Sequence, residues 1–332
     1  MRSFALLSQK DKAEAFEITA HKTGMSPAIV EKDFWVCWTL DYLFSRCEYC
    51  DSFAFKGGTS LSKAFNLIER FSEDIDLIFD WRLLGYSLNE PWDKRSNTKQ
   101  DAFVEKINAD ASDFLASTLK PLMESDFANS LVDGFAFRIE EDDPQTLCVD
   151  YPRSFSDASI LQTIRLETGA LAAWTPTQVA EISPYIAQEY PDSFREPCTP
   201  VLTAAAERTF WEKATILHKE AFRSNGRLPD RYSRHYYDIY RMCQSAVKDN
   251  ALADFGLLKK VVEFKMRFWR SNAARYDLCK PGTIRLVPPN DQLQRVHDDY
   301  SRMRNMLFGD IPAFTEIMAS IASLEAEINS RG

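Results

Sequence analysis

The sequence has no long apolar run. Its most apolar stretch, Phe34 to Phe44, is interrupted by Asp41 and is far shorter than the ~20 residues that cross a bilayer. The first residues also lack the apolar segment and cleavage site of a signal peptide. We therefore expect a cytoplasmic protein that has no membrane partner.

Paired cysteines and several common catalytic motifs are missing as well. The seven cysteines are odd in number and scattered, which is typical of a reducing compartment rather than of a disulfide framework. Cys47 and Cys50 form one CxxC without the second pair that a zinc site needs. No HExxH, GxSxG or P-loop motif occurs, so zinc hydrolysis and P-loop chemistry are not expected.

Positive charge is scarce in the front of the chain and abundant behind it. Residues 1–200 carry 19 basic and 33 acidic side chains, whereas residues 201–285 carry 17 basic and 9 acidic ones. Such an asymmetry indicates two lobes with different partners. An acidic lobe attracts metal ions, and a basic one attracts phosphates.

The hydrophobic patterns predict a mixed α/β lobe followed by a helical lobe, with domains at 1–205 and 206–332. In the first lobe, helices are predicted over 11–22, 27–45 and 101–125, with another starting at Ser60, and strands over 53–55, 74–79, 135–139, 147–151 and 163–167. Four prolines between 184 and 200 predict an irregular connection. From Phe210 onward the chain is predicted to be helical, with breaks near 225–231 and 277–291.

The most informative segment joins a glycine turn to a pair of carboxylates. Gly57-Gly58-Thr59-Ser60 follows a predicted strand and opens a helix, and Asp74-Ile75-Asp76 begins the next strand. Residues two apart in a strand share a face, so the two aspartates lie side by side and repel each other unless a cation is present. Mg²⁺ commonly takes one or two carboxylates together with substrate phosphates. The glycines allow phosphate to approach the backbone at the start of a helix.

Each part of this segment has an ordinary alternative. Two aspartates on a strand are often solvated charges, and a glycine pair before a helix is often a simple turn. The combination of a strand, the glycine turn, a helix and a second strand with both aspartates within about 25 residues is much more specific.

Here the sequence resembles a known family. GGTSL at 57–61 and RFSEDIDL at 70–77 closely match the nucleotidyltransferases of the AbiEii/AbiGii toxin family, which includes the MenT toxins and belongs to the DNA polymerase β-like superfamily. The resemblance continues through Glu207–Lys213, which resembles the lysine motif, and Arg231–Asp238, which resembles the final motif. It implies an α/β (α+β) nucleotidyltransferase fold: a small mixed sheet flanked by helices, with a helical C-terminal lobe.

The resemblance also implies roles for single residues. Asp74 and Asp76 would hold Mg²⁺ or Mn²⁺, which bridges the phosphates of an NTP. Lys213 would supply a cation for the triphosphate, and Asp238 would place Lys213 or the acceptor. The β- and γ-phosphates would be bound by the turn residues Gly57, Gly58, Thr59 and Ser60.

The assignments of a third carboxylate, of Lys213 and of Asp238 leave alternatives open. The third carboxylate of the superfamily is assigned to Glu167, with Asp150 as the fallback and a surface Arg165–Glu167 pair as the ordinary interpretation. Lys213 could be a solvated helix lysine. Asp238 could pair with Arg234 or Arg241 at helical spacing. The family often has Arg-Asp where this chain has Arg234-His235, so no role is carried over to position 235.

The basic segment suggests an RNA-facing surface. Arg267, Arg270 and Arg275 alternate with aromatic residues, as in proteins that bind phosphates and stack bases; aromatic residues at helical spacing are equally typical of a core. The resemblance implies a toxin of a toxin–antitoxin or phage-defence system that transfers a nucleotide to the 3′ end of tRNA, blocks translation and has a cognate antitoxin. The alternatives are transfer to a protein, such as the antitoxin, transfer to a small molecule, and a non-catalytic nucleotide-binding module.

Overall fold

The computed structural model describes residues 1–72, 74–158, 160–171, 175–223 and 228–332. These form two compact units, one of Met1–Ala64 and Phe71–Thr203 and the other of Phe65–Arg70 and Ala204–Gly332. Whether the units fold independently, as the predicted domains 1–205 and 206–332 would, stays a prediction. No helix within the described ranges is both long enough and apolar enough to span a membrane. All seven cysteines are free thiols.

The first unit contains a seven-stranded sheet and seven helices among its described residues. The strands are β1 (Phe53–Lys56), β2 (Asp74–Phe79), β3 (Ala136–Ile139), β4 (Thr146–Asp150), β5 (Ile164–Gly169), β6 (Thr177–Ile182) and β7 (Thr199–Ala204). The helices are α1 (Arg2–Ala5), α2 (Gln9–Thr23), α3 (Pro27–Ser45), α4 (Gly57–Lys63), α5 (Asn97–Phe114), α6 (Lys120–Ala128) and α7 (Ile186–Glu189), with one π-helical turn, Leu115–Leu119, between α5 and α6.

The sheet is mixed, as the family resemblance implied, and its order is β3-β4-β5-β2-β1-β7-β6. β2 runs parallel to β5 and β1 runs parallel to β7, whereas the β1–β2, β3–β4 and β4–β5 pairs are antiparallel. β1 and β2, which flank the glycine turn, therefore lie near the centre of the sheet.

The sequence interpretation missed two strands. β6 was not recognised, and the predicted irregular connection ends inside β7, where Pro200 was read as a chain breaker. A proline is tolerated near the start of a strand, and Val201 and Thr203 of β7 are fully buried. The helix after β1 also starts at Gly57 rather than Ser60, because Gly57 adopts a positive φ that turns the chain directly out of the strand.

Helix α3 is the central helix of the first unit. Ser26 caps it by accepting from the Ile29 N–H at 3.3 Å, and Pro27 occupies its first turn. The sequence predicted one apolar face, but the helix is buried on nearly all sides. Trp35 packs edge to face against Trp38 and against Phe135, and Trp38 stacks on Phe135. Its buried Glu31 accepts from the N–H groups of Ser154 and Phe155.

A buried ion pair joins α3 to the helix that follows the glycine turn. The Asp33 carboxylate lies 2.7 Å from the Lys63 amine of α4 and accepts the Tyr185 N–H at 2.8 Å. The amine also lies over the Tyr185 ring, 3.7 Å from its centroid. Both side chains are more than nine-tenths buried, so the pair fixes α4 from its C-terminal end.

The second unit is helical, as predicted. Its helices are α8 (Ala206–Ala221), α9 (Arg234–Cys243), α10 (Ala246–Ala253), α11 (Phe255–Phe268), α12 (Asn290–Arg302) and α13 (Phe314–Asn329). The predicted break at 277–291 matches the start of α12 at Asn290. Of the predicted break near 225–231, residues 225–227 lie outside the described residues.

We predict that Lys63→Met destabilises the protein by about 3–5 kcal/mol, because it leaves the buried Asp33 carboxylate without its cation. Lys120→Met is the matched control: it breaks the half-exposed Lys120–Glu124 pair of α6 and is expected to cost about 1 kcal/mol or less. Denaturant unfolding of the two variants measures the difference. Similar small losses in both would contradict a stabilising role for the buried pair.

Candidate active site

The turn after β1 fits closely around a carboxylate of β2. Gly57 has a φ of +81°, and a Cβ built on it would lie 1.8 Å from Oδ2 of Asp76. Lys56, the last residue of β1, is the antiparallel partner of Asp76, so the chain must turn at the level of this carboxylate. Only glycine satisfies both the backbone conformation and the close approach.

Two hydroxyl groups hold this turn from inside. The Thr59 hydroxyl donates to the main-chain carbonyl of Asp74, and the Ser60 hydroxyl donates to the carbonyl of Gly57 at 2.9 Å. Both side chains are buried, so the hydroxyls serve the turn here rather than the surface. The start of α4 has no side-chain cap, so an anion at Gly57–Ser60 would be bound through main-chain N–H groups.

The paired aspartates lie on one face of β2, as predicted. Asp74 and Asp76 are half-buried, whereas Ile75 and Leu77 are fully buried. The parallel strand β5 places Arg165 beside Asp74 and Glu167 beside Asp76. Residues in register on neighbouring strands share a face about 4.8 Å apart. Asp76 and Glu167 are therefore lateral neighbours on this face.

The fallback carboxylate, Asp150, lies elsewhere on the sheet. β4 is antiparallel to β5 and places Thr146 opposite Glu167, whereas Asp150 is at the far end of β4, opposite Ala136 of β3. Four residues of β4 and one intervening strand separate Asp150 from the position beside Asp76. The register favours Glu167 over Asp150 as a third carboxylate, and its role stays a prediction.

The described residues contain no group of three or more His, Cys, Asp or Glu side chains placed to hold a metal ion. The Glu167 carboxylate contacts the Arg165 guanidinium at 3.3 Å. Mg²⁺, however, is usually bound by one or two carboxylates and completes its shell with water and substrate phosphates. Asp74 and Asp76, beside a turn with main-chain donors, fit such a shared ion.

In the second unit, Lys213 and Asp238 form a buried ion pair. The Lys213 amine lies 2.7 Å from Oδ2 of Asp238, and neither side chain is a solvated surface group. The contact brings Asp238 and Lys213 together, and the role of Asp238 in placing Lys213 or the acceptor stays a prediction. The alternative pairing with Arg234 or Arg241 is not observed, since Arg241 pairs with Glu69 at 3.1 Å.

Arg70 lies in the RFSEDIDL motif, but the sequence analysis predicted no role for it. The structure buries its guanidinium against Asp238: Nε donates to Oδ1 at 2.7 Å and Nη2 donates to Oδ2 at 2.8 Å. The neighbouring Glu69 N–H donates to the Tyr237 hydroxyl at 3.2 Å, and the Glu69 carbonyl accepts the Phe308 N–H. An arginine four residues before Asp74 was the available signal.

The charges around Asp238 set the ionisation of this cluster. Burial raises the pKa of Asp238, but Arg70 and then Lys213 lower it, and the net shift is downward. Burial lowers the pKa of Lys213, Asp238 opposes this, and Arg70 adds to the lowering. The pKa of His235 is well below its ordinary value, because burial and then Lys213 and Arg234 disfavour the charged ring. His235, where the family often has a carboxylate, is therefore neutral here.

The three arginines of the predicted RNA-facing surface differ in their exposure to solvent. Arg270 and Arg275 are exposed and Arg267 is half-exposed. Arg275 forms a two-point ion pair with Asp277, with both contacts at 3.1 Å. The neighbouring Phe264 and Phe268 belong to the core, whereas Trp269 is 48% exposed. The aromatic pattern thus divides between packing and surface.

Paired carboxylates beside a glycine turn in the sheet, and a buried lysine–aspartate pair in the helical unit, are the features that a nucleotidyltransferase is expected to have. A sequence model described as "Nucleotidyl transferase AbiEii toxin, Type IV TA system" matches residues 38–320, most of the chain. The protein belongs to this family and is a nucleotidyltransferase toxin of a type IV toxin–antitoxin system. An NTP substrate and an antitoxin partner follow from this membership.

Known structures include a similar protein. MenT4, a nucleotidyltransferase toxin from Mycobacterium tuberculosis H37Rv, is 14% identical in sequence, with a TM-score of 0.45, 94% of this chain covered and 98% of that chain covered. A comparison with curated proteins gives no match.

We predict that Gly57→Ala lowers nucleotidyl transfer by at least about tenfold, since it must displace the Asp76 carboxylate or the turn by an ångström or more. Gly24→Ala is the matched control, because Gly24 also has a positive φ, +71°, but no atom lies within 4 Å of its added Cβ. Both changes cost about 1–3 kcal/mol of backbone strain, and only the first is expected to affect transfer. Equal activities of the two folded variants would contradict the assignment.

Proposed function

We propose that the enzyme transfers an NMP from an NTP to an RNA acceptor, the 3′ end of tRNA, in a metal-dependent reaction that blocks translation. The observation that carries this proposal is the pair Asp74 and Asp76 on one face of β2, with Asp76 against the Gly57 turn. Paired carboxylates beside main-chain phosphate donors suit a metal ion shared with a triphosphate.

Each group has a part in this reaction. Asp74 and Asp76 would hold a Mg²⁺ or Mn²⁺ ion, which would supply positive charge to the phosphates as the acceptor hydroxyl attacks the α-phosphorus and pyrophosphate leaves. The N–H groups of Gly57–Ser60 bind the β- and γ-phosphates. The Lys213 ammonium, held by Asp238, adds positive charge for the triphosphate. Glu167, in register with Asp76, completes the set of carboxylates.

The charge distribution supports an RNA acceptor. Residues 201–285 have 17 basic and 9 acidic side chains, and Trp269 and Arg270 are both exposed at the end of α11. Cations bind the phosphates of RNA and an exposed indole can stack on a base. The alternative acceptors, a protein such as the antitoxin or a small molecule, have no need for this basic surplus. A toxin acting in this way could also serve in phage defence.

The four NTPs, each α-labelled and supplied with total tRNA and Mg²⁺, test the reaction directly. Label on tRNA is expected. Label on protein or on a small molecule would favour the alternative acceptors, and no label with any NTP would contradict the proposal. EDTA should abolish transfer, because the carboxylates bind triphosphate only through the metal.

We predict that Asp76→Asn lowers transfer by at least about a hundredfold, because the amide cannot replace a metal-binding carboxylate. Glu167→Gln should lower it by at least about tenfold on the same ground. Asp150→Asn is the matched control on the same sheet and should retain near-wild-type activity. Loss of activity in Asp150→Asn with full activity in Glu167→Gln would reverse the assignment of the third carboxylate.

We also predict that Arg267→Glu combined with Arg270→Glu weakens tRNA binding and reduces its salt dependence, since phosphate contacts release counterions. NTP affinity should be unchanged. The control is Lys94→Glu with Lys99→Glu, which makes the same charge change at exposed positions of the first unit. tRNA affinity at two salt concentrations and a melting curve are measured for each variant. A folded Arg267/Arg270 variant with unchanged affinity and salt slope would remove this surface from the proposal.

A further inference from the structure

Strand β2, which carries the paired aspartates, extends beyond the end of its neighbour β1. The register of the two strands ends at the pair Lys56–Asp76, because the chain turns into α4 at Gly57. β2 nevertheless begins at Asp74. If β1 continued in register, residue 58 would lie beside Asp74, but Gly58 is already part of α4. The last residues of β1 therefore stop short of Asp74.

The main-chain carbonyl of Asp74 points towards the side from which β1 has turned away. In an antiparallel pair, main-chain groups are directed to the partner strand at every second residue. Asp80, directly after β2, donates its N–H to the Ser52 carbonyl on the β1 side at 3.0 Å. Asp74 lies an even number of residues before Asp80, so its carbonyl faces the same side. A main-chain carbonyl in such a position needs a donor from another element.

The Thr59 hydroxyl supplies a donor at this position. It donates to the main-chain carbonyl of Asp74, and the Thr59 side chain is only 2% exposed. Thr59 lies on α4, which the buried Asp33–Lys63 pair fixes at its C-terminal end. The hydroxyl thus takes the place of a main-chain donor of β1 and belongs to an anchored helix.

A fixed main chain at Asp74 also fixes the carboxylate of the same residue. Asp74 is the first residue of β2, where a strand is held less firmly than at its centre. Groups that orient a metal ligand from outside commonly change metal affinity or activity by about 10–100-fold when they are removed. A hydrogen bond to the Asp74 main chain is such a contact if Asp74 binds the metal ion.

We propose that Thr59 is a positioning residue whose hydroxyl holds the main chain of Asp74 and thereby keeps the Asp74 carboxylate in place, beside Asp76, for the metal ion. This inference rests on the proposed function, in which the two aspartates hold Mg²⁺ or Mn²⁺. Thr59 acts on the metal ion through Asp74, and its hydroxyl makes no contact with the phosphates of the nucleotide.

Two substitutions separate the hydroxyl group from the size of the side chain. Thr59→Val replaces the hydroxyl with a methyl group and should weaken Mn²⁺ binding by at least about tenfold. Thr59→Ser keeps the donor, so its Mn²⁺ affinity should stay within about threefold of the wild type. The measurement is the loss of the free Mn²⁺ signal in electron paramagnetic resonance when the metal alone is titrated with protein. Asp74→Asn gives the background, and a melting curve is recorded for each variant.

Steady-state kinetics distinguish positioning of the metal ion from contact with the nucleotide. In Thr59→Val, the Mg²⁺ concentration for half-maximal transfer should rise by at least about tenfold, whereas KM for the NTP at saturating Mg²⁺ should stay within about threefold. A hydroxyl that bound a phosphate would instead raise KM for the NTP at every Mg²⁺ concentration. That result would overturn the inference.

Thr203→Val is the matched control. Thr203 is also buried, and its hydroxyl donates to the main-chain carbonyl of Val201 at 3.2 Å on β7, which carries neither aspartate. Its Mn²⁺ affinity should stay within about threefold of the wild type, because the hydroxyl supports no metal ligand. An equal loss of Mn²⁺ binding in Thr203→Val and Thr59→Val would overturn the inference.

A purely structural Thr59 predicts a different result. Thr59→Val would then melt at a lower temperature but bind Mn²⁺ as the wild type does, which would overturn the inference. Thr59→Ser that loses as much affinity as Thr59→Val would overturn it as well, since the serine keeps the hydroxyl. Should Thr59→Val fail to fold, Thr59→Ala removes the same hydroxyl, and unchanged Mn²⁺ affinity in that variant would overturn the inference.

The wild-type protein separates this inference from the proposed function. Wild-type protein that binds no more Mn²⁺ than Asp74→Asn would overturn both the metal site and the role of Thr59. Wild-type protein that binds Mn²⁺ but labels no tRNA would contradict the proposed acceptor, while the Mn²⁺ affinities of the variants still decide the role of Thr59. The expected result is an active wild type, weak Mn²⁺ binding by Thr59→Val, and near-wild-type binding by Thr59→Ser and Thr203→Val.

Discussion

The close approach of the Gly57 backbone to the Asp76 carboxylate is the constraint on which the candidate site depends. β1 and β2 are antiparallel neighbours, and Lys56 lies opposite Asp76, so the chain must leave β1 at the level of the carboxylate. A side chain at Gly57 would occupy the position of Oδ2. The β1–α4–β2 segment therefore places both the main-chain donors of the turn and the carboxylates of β2. The buried Asp33–Lys63 pair fixes α4, the helix between the two strands.

Buried charge in both units is compensated by specific partners. Glu31 accepts two main-chain N–H groups, Asp33 has a lysine and an N–H group, and Asp238 has an arginine and a lysine. Burying a carboxylate is costly unless it is paired and hydrogen-bonded. Asp238 differs from the other two because its carboxylate contacts two cationic side chains.

The basic segment illustrates how a sequence pattern can have two meanings at once. The alternation of cations and aromatic residues near 259–276 predicted either a core or an RNA-facing surface, and the structure has both buried and exposed side chains there. Phe264 and Phe268 are buried and Trp269 is exposed, while Lys265 is buried and Arg270 is exposed. Residues three or four apart share a face of a helix, so Phe264 and Phe268 of α11 pack inward together, whereas Trp269 and Arg270 follow the end of the helix and are exposed.

The sequence by itself determined the local features: the turn at Gly57–Ser60, the alternation that puts Asp74 and Asp76 on one face, and the helical second half. These depend on residue spacing within one or two elements, which periodicity reveals. Only the tertiary structure decided the register that places Glu167 rather than Asp150 beside Asp76, the strand β7, and the convergence of Arg70, Lys213 and Asp238. Those features join residues far apart in the chain, and their partners are selected by packing and by the compensation of buried charge, which no local pattern records.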